Sequence, residues 1–414
     1  MIRAITPVAA LLIGVAILLT GQGLQGILLP VRANLEGFST VAVGLIGATY
    51  FLGFTAGCWK GASFIQRVGH VRVFAAMTAS ASAVPLLHGL WVNLWTWALL
   101  RFVTGFCFAV LYVVIESWLN EQSSNENRGR IFSVYVLINM TVLAVGQQAL
   151  LLQDPMQLHL FAVASVLVSL AAVPVALSTS QTPRFVESAR LDFRRAFSVS
   201  PSGMLGSLSS GLANGAFWSL VPVFIAGLSD DISLVAWFMT AVVLGGAAGQ
   251  FPLGLASDHT DRRHVLVGTA LAGMVAGILI WLLAPNQGVT GMLLLGFCWG
   301  VAAFPLYSIS VAHANDRAEP DDYVMLSSAL LMMYGMGAVL GPFLAALMMT
   351  WLGGSGLYLF TSLIQGGFVI YLVVFSLRRR RAAPDQTVDF SDSLTTALTA
   401  SRVYEEELAE GESS

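Results

Sequence analysis

The sequence predicts an all-α integral membrane protein, with twelve transmembrane helices in two pseudo-symmetric six-helix bundles, and three observations predict it. Charged residues make up 10% of the 414 residues and apolar ones 56%, with a mean hydropathy of +0.77; a soluble domain carries about 25% charged residues. Long stretches hold no ionisable side chain, such as Ala4 to Val31, and they exceed the ~20 residues needed to cross ~30 Å of hydrocarbon. The chain also repeats itself at an offset of about 192 residues. Leu28-Leu29-Pro30-Val31 returns as Leu220-Val221-Pro222-Val223, and Gly105-Phe106-Cys107 returns as Gly296-Phe297-Cys298. A period this long describes half-proteins, not a solenoid of 20–50-residue units. In an apolar chain it is the layout of a transporter whose site lies between the halves.

Apolar runs between polar breaks place the spans. The first six fall near residues 6–29, 39–65, 71–90, 93–118, 131–153 and 157–178. The second six fall near 202–227, 233–257, 264–284, 290–313, 323–349 and 355–377. The first run is too long for a signal-peptide core, has no small-x-small cleavage pattern and is followed by further spans, so it reads as a permanent helix. The organisation is therefore a first bundle over 1–178, a linker over 179–201, a second bundle over 202–377 and a tail over 378–414. Forty glycines fit close helix packing in lipid. Cys58, Cys107 and Cys298 stand alone in apolar runs and read as packing residues, without metal or redox spacing.

With the N-terminus inside, seventeen of the twenty basic residues fall on the cytoplasmic side, only Arg32 falls outside, and Lys60 and Arg101 lie within spans. The positive-inside rule thus puts both termini in the cytoplasm. Six spans per half make the repeats parallel, related by an axis along the membrane normal. The tail carries eight acidic residues from Asp385 to Glu412, against Arg402 alone after Arg381, the composition of a disordered solubilising segment.

The loop after span 8 reads Gly254-Leu255-Ala256-Ser257-Asp258-His259-Thr260-Asp261-Arg262-Arg263. It resembles the G-x-L-A-D-R-x-G-R-R signature of the major facilitator superfamily, with Asp261 in place of the second glycine. In the matching loop after span 2, Gln66 stands where the aspartate belongs, with Arg67, Gly69 and Arg72 retained. Arg101-Phe102-Val103-Thr104-Gly105 resembles the family's R-x-x-Q-G motif, with threonine for glutamine. Glu116-Ser117, Asn127-Arg128-Gly129-Arg130, Gly249-Gln250-Phe251-Pro252 and Phe304-Pro305-Leu306-Tyr307 extend the likeness to the YcaD-like branch, over about residues 5–378. The resemblance implies a secondary transporter of the bacterial inner membrane. The antiporter glycine–proline pair is absent from span 5, where Gly146-Gln147 stands, and a similar element appears in span 11 as Gly337 to Pro342.

A carrier needs a central site, alternating gates and often a coupling ion. Gln22 in span 1 maps onto Asn214 in span 7, so amides occupy equivalent places in the helices that open each half. Ser207, Gly211, Asn214 and Trp218 share a helical face. On span 4, Arg101, Gly105, Phe108, Tyr112 and Glu116 share another. A buried guanidinium costs about 2.5–3.5 kcal/mol on insertion scales, so Arg101 reads as a substrate-anion contact or a proton-coupling element. Gln22, Gln25, Arg101, Tyr112, Asn214, Trp218, Trp299 and Tyr307 are the candidate substrate contacts. Arg67, Arg72, Glu116, Arg128, Asp258, Arg262, Arg263 and His313 are the candidates for gating or coupling: Glu116 with Arg128, and Asp258 with Arg262 and Arg263, as rim charge pairs worth ~0–1 kcal/mol when exposed. His313 could respond to pH, although it also stands where a helix C-terminus is capped. Lys60 is expected to snorkel.

No P-loop, nucleophile–base set or metal-ligand spacing is present, so neither enzyme, cofactor, metal nor direct use of ATP is expected. The expected partners are a small-molecule substrate, protons and the lipid bilayer, not nucleic acid, around a monomer. Two rival readings stay open: an exporter of apolar drug-like compounds, suggested by ten Trp and fourteen Met, and a non-transporting sensor or scaffold acting through the tail.

Overall fold

The structure is a computed structural model that describes residues 8–122, 128–177, 192–319 and 322–376. Most of the predicted linker, the whole predicted tail and the side chain of Arg128 lie outside the described residues.

Twelve helices are long and apolar enough to span a membrane. The first half holds α1 (Ala9–Leu35), α2 (Thr40–Val68), α3 (His70–Leu90), α4 (Leu94–Glu121), α5 (Arg128–Gln148) and α6 (His159–Ala176). The second holds α7 (Pro201–Ala226), α8 (Ile232–His259), α9 (Arg262–Leu283), α10 (Val289–Asn315), α11 (Tyr323–Leu352) and α12 (Gly356–Tyr371). A short helix, Phe193–Val199, precedes α7. Its Arg195 grips Asp322 at the foot of α11 through two contacts of 2.7 and 3.0 Å. The membrane face carrying this helix is called the linker face below, and the opposite one the far face.

Polar residues start the helices where the sequence breaks. Ser39, Asn93, Ser200 and Asp231 each accept backbone N–H groups of the turn they open, offsetting donors that lipid cannot satisfy. The two equivalent turns of the halves are built differently. Gly69, between α2 and α3, has φ +87° and contributes no side-chain cap. Asp261, at the matching place between α8 and α9, has φ −66° and accepts the Arg263 N–H at 3.0 Å. The aspartate that departs from the family signature thus does the work of an N-cap, in a backbone that no longer needs glycine.

Helix α1 runs past the predicted end near residue 29, through Pro30 to Leu35. Arg32 is buried there because Glu36 pairs with it at 2.7 Å and the Pro155 carbonyl accepts from it at 2.9 Å. A satisfied guanidinium need not end a helix. Lys60 is exposed, and its Nζ lies 4.4 Å from the centroid of the exposed Trp59 ring, within cation–π range.

Close approaches between the halves run from mid-helix to the far face. An added Cβ at Gly44 would meet the Pro342 carbonyl and Ala346, one at Gly47 would strike Ser219, and one at Gly335 would meet Thr55. At the far end of α5, Gln148 Nε2 donates to Thr240 Oγ1 at 2.7 Å and to the Ala236 carbonyl at 3.1 Å, both on α8.

Candidate functional site

Two amides, one in each half, are the starting point of the candidate site. On α1, Gln22 is held from both sides: its Nε2 donates to the Tyr50 hydroxyl at 2.9 Å, and its Oε1 accepts from the Tyr112 hydroxyl at 3.1 Å. The two phenols thereby fix the amide's orientation. Tyr50 comes from α2 and Tyr112 from α4, and the close packing of those helices is set by glycine. A Cβ on Gly105 would collide with the Tyr50 carbonyl, and one on Gly53 with the Phe102 carbonyl. One turn from Gly105, Arg101 reaches over the Tyr50 ring, its guanidinium carbon 4.4 Å from the centroid, within cation–π range. Phe54 closes this side, 6.3 Å from Tyr50 and 6.1 Å from Tyr112.

Across the interface, Asn214 on α7 is buried and hydrogen-bonded to the Tyr334 hydroxyl on α11. Gly211 and Gly215, on either side of it, admit the α11 backbone at Tyr334 and Ala338. The Asn214 Oδ1 has no hydrogen-bond partner among the described residues. Tyr307 packs against Tyr334, ring centroids 4.8 Å apart. Tyr334 interacts electrostatically with Tyr50, and Tyr307 with Cys58, so the two tyrosine clusters face each other. Gln22, Arg101, Tyr112, Asn214 and Tyr307 are therefore brought together.

Two expected substrate contacts pack into the aromatic cluster of the second half. Trp299 is fully buried, stacked on Phe217 at 5.3 Å and edge-on to Tyr358 at 5.6 Å. It belongs to the aromatic core of the second half, because an indole of this size buries more apolar surface there than at a wet site. Trp218 is half-buried and stacks on Phe304 at 5.9 Å, at the edge of the same cluster. Gln25 is 1% exposed and neither of its amide atoms has a partner among the described residues.

The charged candidates for gating also differ from expectation. Arg262 is 3% exposed and holds a brace inside the second half, not a pair at an exposed rim. It bonds Asp258 at 2.8 Å and Asp316 at 2.6 Å, and donates to the carbonyls of Ala312 and Ser257 at 2.9 and 3.3 Å. Three helices, α8, α9 and α10, meet on this one guanidinium, whose fork suits several acceptors at once. Arg263 is buried beside it. His313 is buried as well, and Arg317, one turn on, lies 2.8 Å from its Nε2. Glu116 is 1% exposed between α4 and α5 and accepts the Tyr135 hydroxyl at 3.1 Å; its expected partner Arg128 has its side chain outside the described residues. Arg67 and Arg72 are exposed on the linker face and hold no ion pair among the described residues.

Several functional residues escaped sequence reading. Tyr50 and Tyr334 look like ordinary aromatics in apolar helices, and Asp316 looks like a helix-end cap. Gln148 and Thr240 form their bond across 92 residues of sequence. A signal existed for the tyrosines: a phenol deep in a span needs a hydrogen-bond partner.

The geometry has counterparts among known proteins. An uncharacterized MFS-type transporter of Yersinia pestis (strain Pestoides F) is 27% identical over 379 residues, covering 89% of this chain and 94% of the relative. The uncharacterized MFS-type transporter YcaD of Escherichia fergusonii is 25% identical over 383 residues, 91% and 97% of the two chains. Among solved structures, the nucleoside transporter NupG superposes with a TM-score of 0.72 at 13% identity, over 90% of this chain and 100% of that one. A bacterial homologue of the human lysosomal transporter Spinster, crystallised inward-facing and unoccupied, gives 0.70 at 14% identity, over 96% and 98%. These likenesses show the fold. With twelve spans, and with the family model of the Major Facilitator Superfamily matching residues 11–199 and 203–404, the chain belongs to the major facilitator superfamily, a family of transporters and not of enzymes.

Proposed function

We propose that this protein is a secondary carrier that moves a small solute across the bacterial inner membrane, rocking its halves about a site between Gln22 and Asn214. The observation that carries the reading is the pair of amides at equivalent places in α1 and α7, each tied to tyrosine, with Tyr50 of one cluster an electrostatic neighbour of Tyr334 of the other. With both termini in the cytoplasm, the far face is periplasmic. The contacts of Gly44, Gly47 and Gln148 then form the periplasmic closure. Proton coupling is part of the proposal. Glu116, buried and bonded to Tyr135, is the carboxylate of the central bundle, and its electrostatic neighbours include Tyr112 of the site. A proton on it would be sensed directly at Gln22 through that phenol.

The test is a thermal-shift screen of purified full-length protein against metabolite and drug libraries, repeated with Gln22→Ala and Asn214→Ala. The expected outcome is a ligand that stabilises the wild type and loses at least tenfold in affinity in each variant. A ligand whose stabilisation survives both substitutions places the site elsewhere and overturns the proposal.

A further inference from the structure

Resting on that reading of the central site, we infer that the solute is a small organic anion: one carboxylate on the Arg101 guanidinium, and an apolar or aromatic body between the tyrosines of the two halves. Two arginines buried in the bundles have full sets of partners, and Arg101, which is half-buried, differs from both. Arg32 is given Glu36 and the Pro155 carbonyl, and Arg262 is given Asp258, Asp316 and two carbonyls. Arg101 is given none of this. Among the described residues no carboxylate pairs with it and no acceptor takes a hydrogen bond from it. Its Nε is buried without a partner, and its recorded neighbours are the Tyr50 ring and the electrostatic contacts of Tyr50 and His88.

A guanidinium stays charged in a protein, so it cannot escape burial by losing its proton. An isolated charge in a low-dielectric place is costly unless something pairs with it. Nothing in the fold forces the cost, because α4 could carry an apolar residue at this position: the alignment of Gly105-Phe106-Cys107 with Gly296-Phe297-Cys298 sets Met292 opposite Arg101 in the second half. The missing counter-charge belongs to what binds.

The surroundings narrow the class. Tyr50 and Tyr112 have their hydroxyls committed to Gln22, and among the described residues no cation is recorded against Tyr307 or Tyr334. His88, the other basic group near Arg101, is fully buried and bonded to the Val84 carbonyl, so it does not reach the solute. One accessible cation matches one anionic group. The rings of Tyr50, Phe54, Tyr112, Tyr307 and Tyr334 offer flat apolar faces to the rest of the molecule. The free Asn214 Oδ1 accepts one hydrogen bond at the far end from the carboxylate.

The test uses purified full-length protein and matched probes, in which each carboxylate is paired with its neutral amide: benzoate with benzamide, 4-hydroxybenzoate with 4-hydroxybenzamide, and 3-phenylpropionate with its amide. Chloride and phosphate salts form the inorganic arm. Thermal unfolding is followed for the wild type, Arg101→Lys and Arg101→Gln. A carboxylate should stabilise the wild type while its amide binds at least tenfold more weakly. Arg101→Gln should abolish that preference, and Arg101→Lys should keep part of it. The wild-type comparison needs no variant, so it stands even where Arg101→Gln does not fold. The inference is overturned if no carboxylate of the panel shifts the unfolding temperature, if amide and acid bind alike, if inorganic anions reproduce the whole effect, or if Arg101→Gln retains carboxylate binding within twofold. A neutral ligand that depends on Gln22 and Asn214 but not on Arg101 overturns the anionic class alone and leaves the central site standing.

Discussion

Arg101 in the first half and Arg262 in the second are the same residue type, both inside helical bundles, and the fold handles them in opposite ways. Arg262 lies between two aspartates and two backbone carbonyls at the linker face. Arg101 lies near the centre over a tyrosine ring, with no acceptor of its own among the described residues. A buried charge that is fully paired holds structure together, and its removal strands its partners. A half-buried charge with no acceptor among the described residues holds little together, and on the reading proposed above it awaits a ligand. On the same reading, the halves share a scaffold and divide the labour, with the binding charge in the first and the structural one in the second.

The largest effect comes from testing this contrast directly. Arg262→Ala should destabilise the protein by about 3–5 kcal/mol, because the buried Asp316 loses the guanidinium that pairs with it at 2.6 Å. Arg101→Ala should cost under about 1 kcal/mol, since it removes a desolvated charge along with its cation–π contact, yet it should abolish binding. Thermal unfolding in detergent, read beside a transport or binding assay, separates the two. Equal losses of stability would mean that Arg101 is a structural tether and would end the contrast.

The turns at Gly69 and Asp261 allow a finer comparison at equivalent places. Gly69→Ala forces a side chain into φ +87° and should cost about 1–3 kcal/mol. Asp261→Ala loses only an N-cap at an ordinary φ, worth about 1 kcal/mol. Unfolding curves of the two variants should differ in that order. The reverse order would show that Asp261 serves the Arg262 brace more than the helix start.

What could be read in advance follows from the range of the forces involved. All twelve spans were legible because lipid demands about 20 apolar residues in a row, a property local in sequence. The amides were legible because the repeat aligns Gln22 with Asn214. Tyr50 and Tyr334 were not, since their role depends on glycine contacts between helices far apart in the chain, Gly105 on Tyr50 and Gly211 on Tyr334. Trp299 misled for the same reason: its helical face is the same whether it meets solute or Phe217. Asp258 and Arg262 announced themselves as neighbours four residues apart, while Asp316 lies 54 residues from Arg262, and that third member turns a rim pair into an internal brace.

The smallest expected effect sharpens the comparison between faces. Thr240→Val removes one of the two bonds that Gln148 makes across the halves at the far face, leaving the Ala236 carbonyl as its remaining acceptor. A hydrogen bond of this kind contributes about 0.5–1.5 kcal/mol net. In a stability measurement that is close to invisible. In a carrier it is not, because alternating access needs two states of similar free energy, and 1.4 kcal/mol changes their ratio about tenfold. Thr240→Val should therefore shift the population several-fold toward the state open at the far face, with little change in unfolding temperature. Distance distributions between spin labels placed on the far ends of α5 and α8 would record the shift. An unchanged distribution would mean that the glycine contacts of α2 with α7 and α11 close this face by themselves, and that Gln148 merely decorates a gate built from backbone packing.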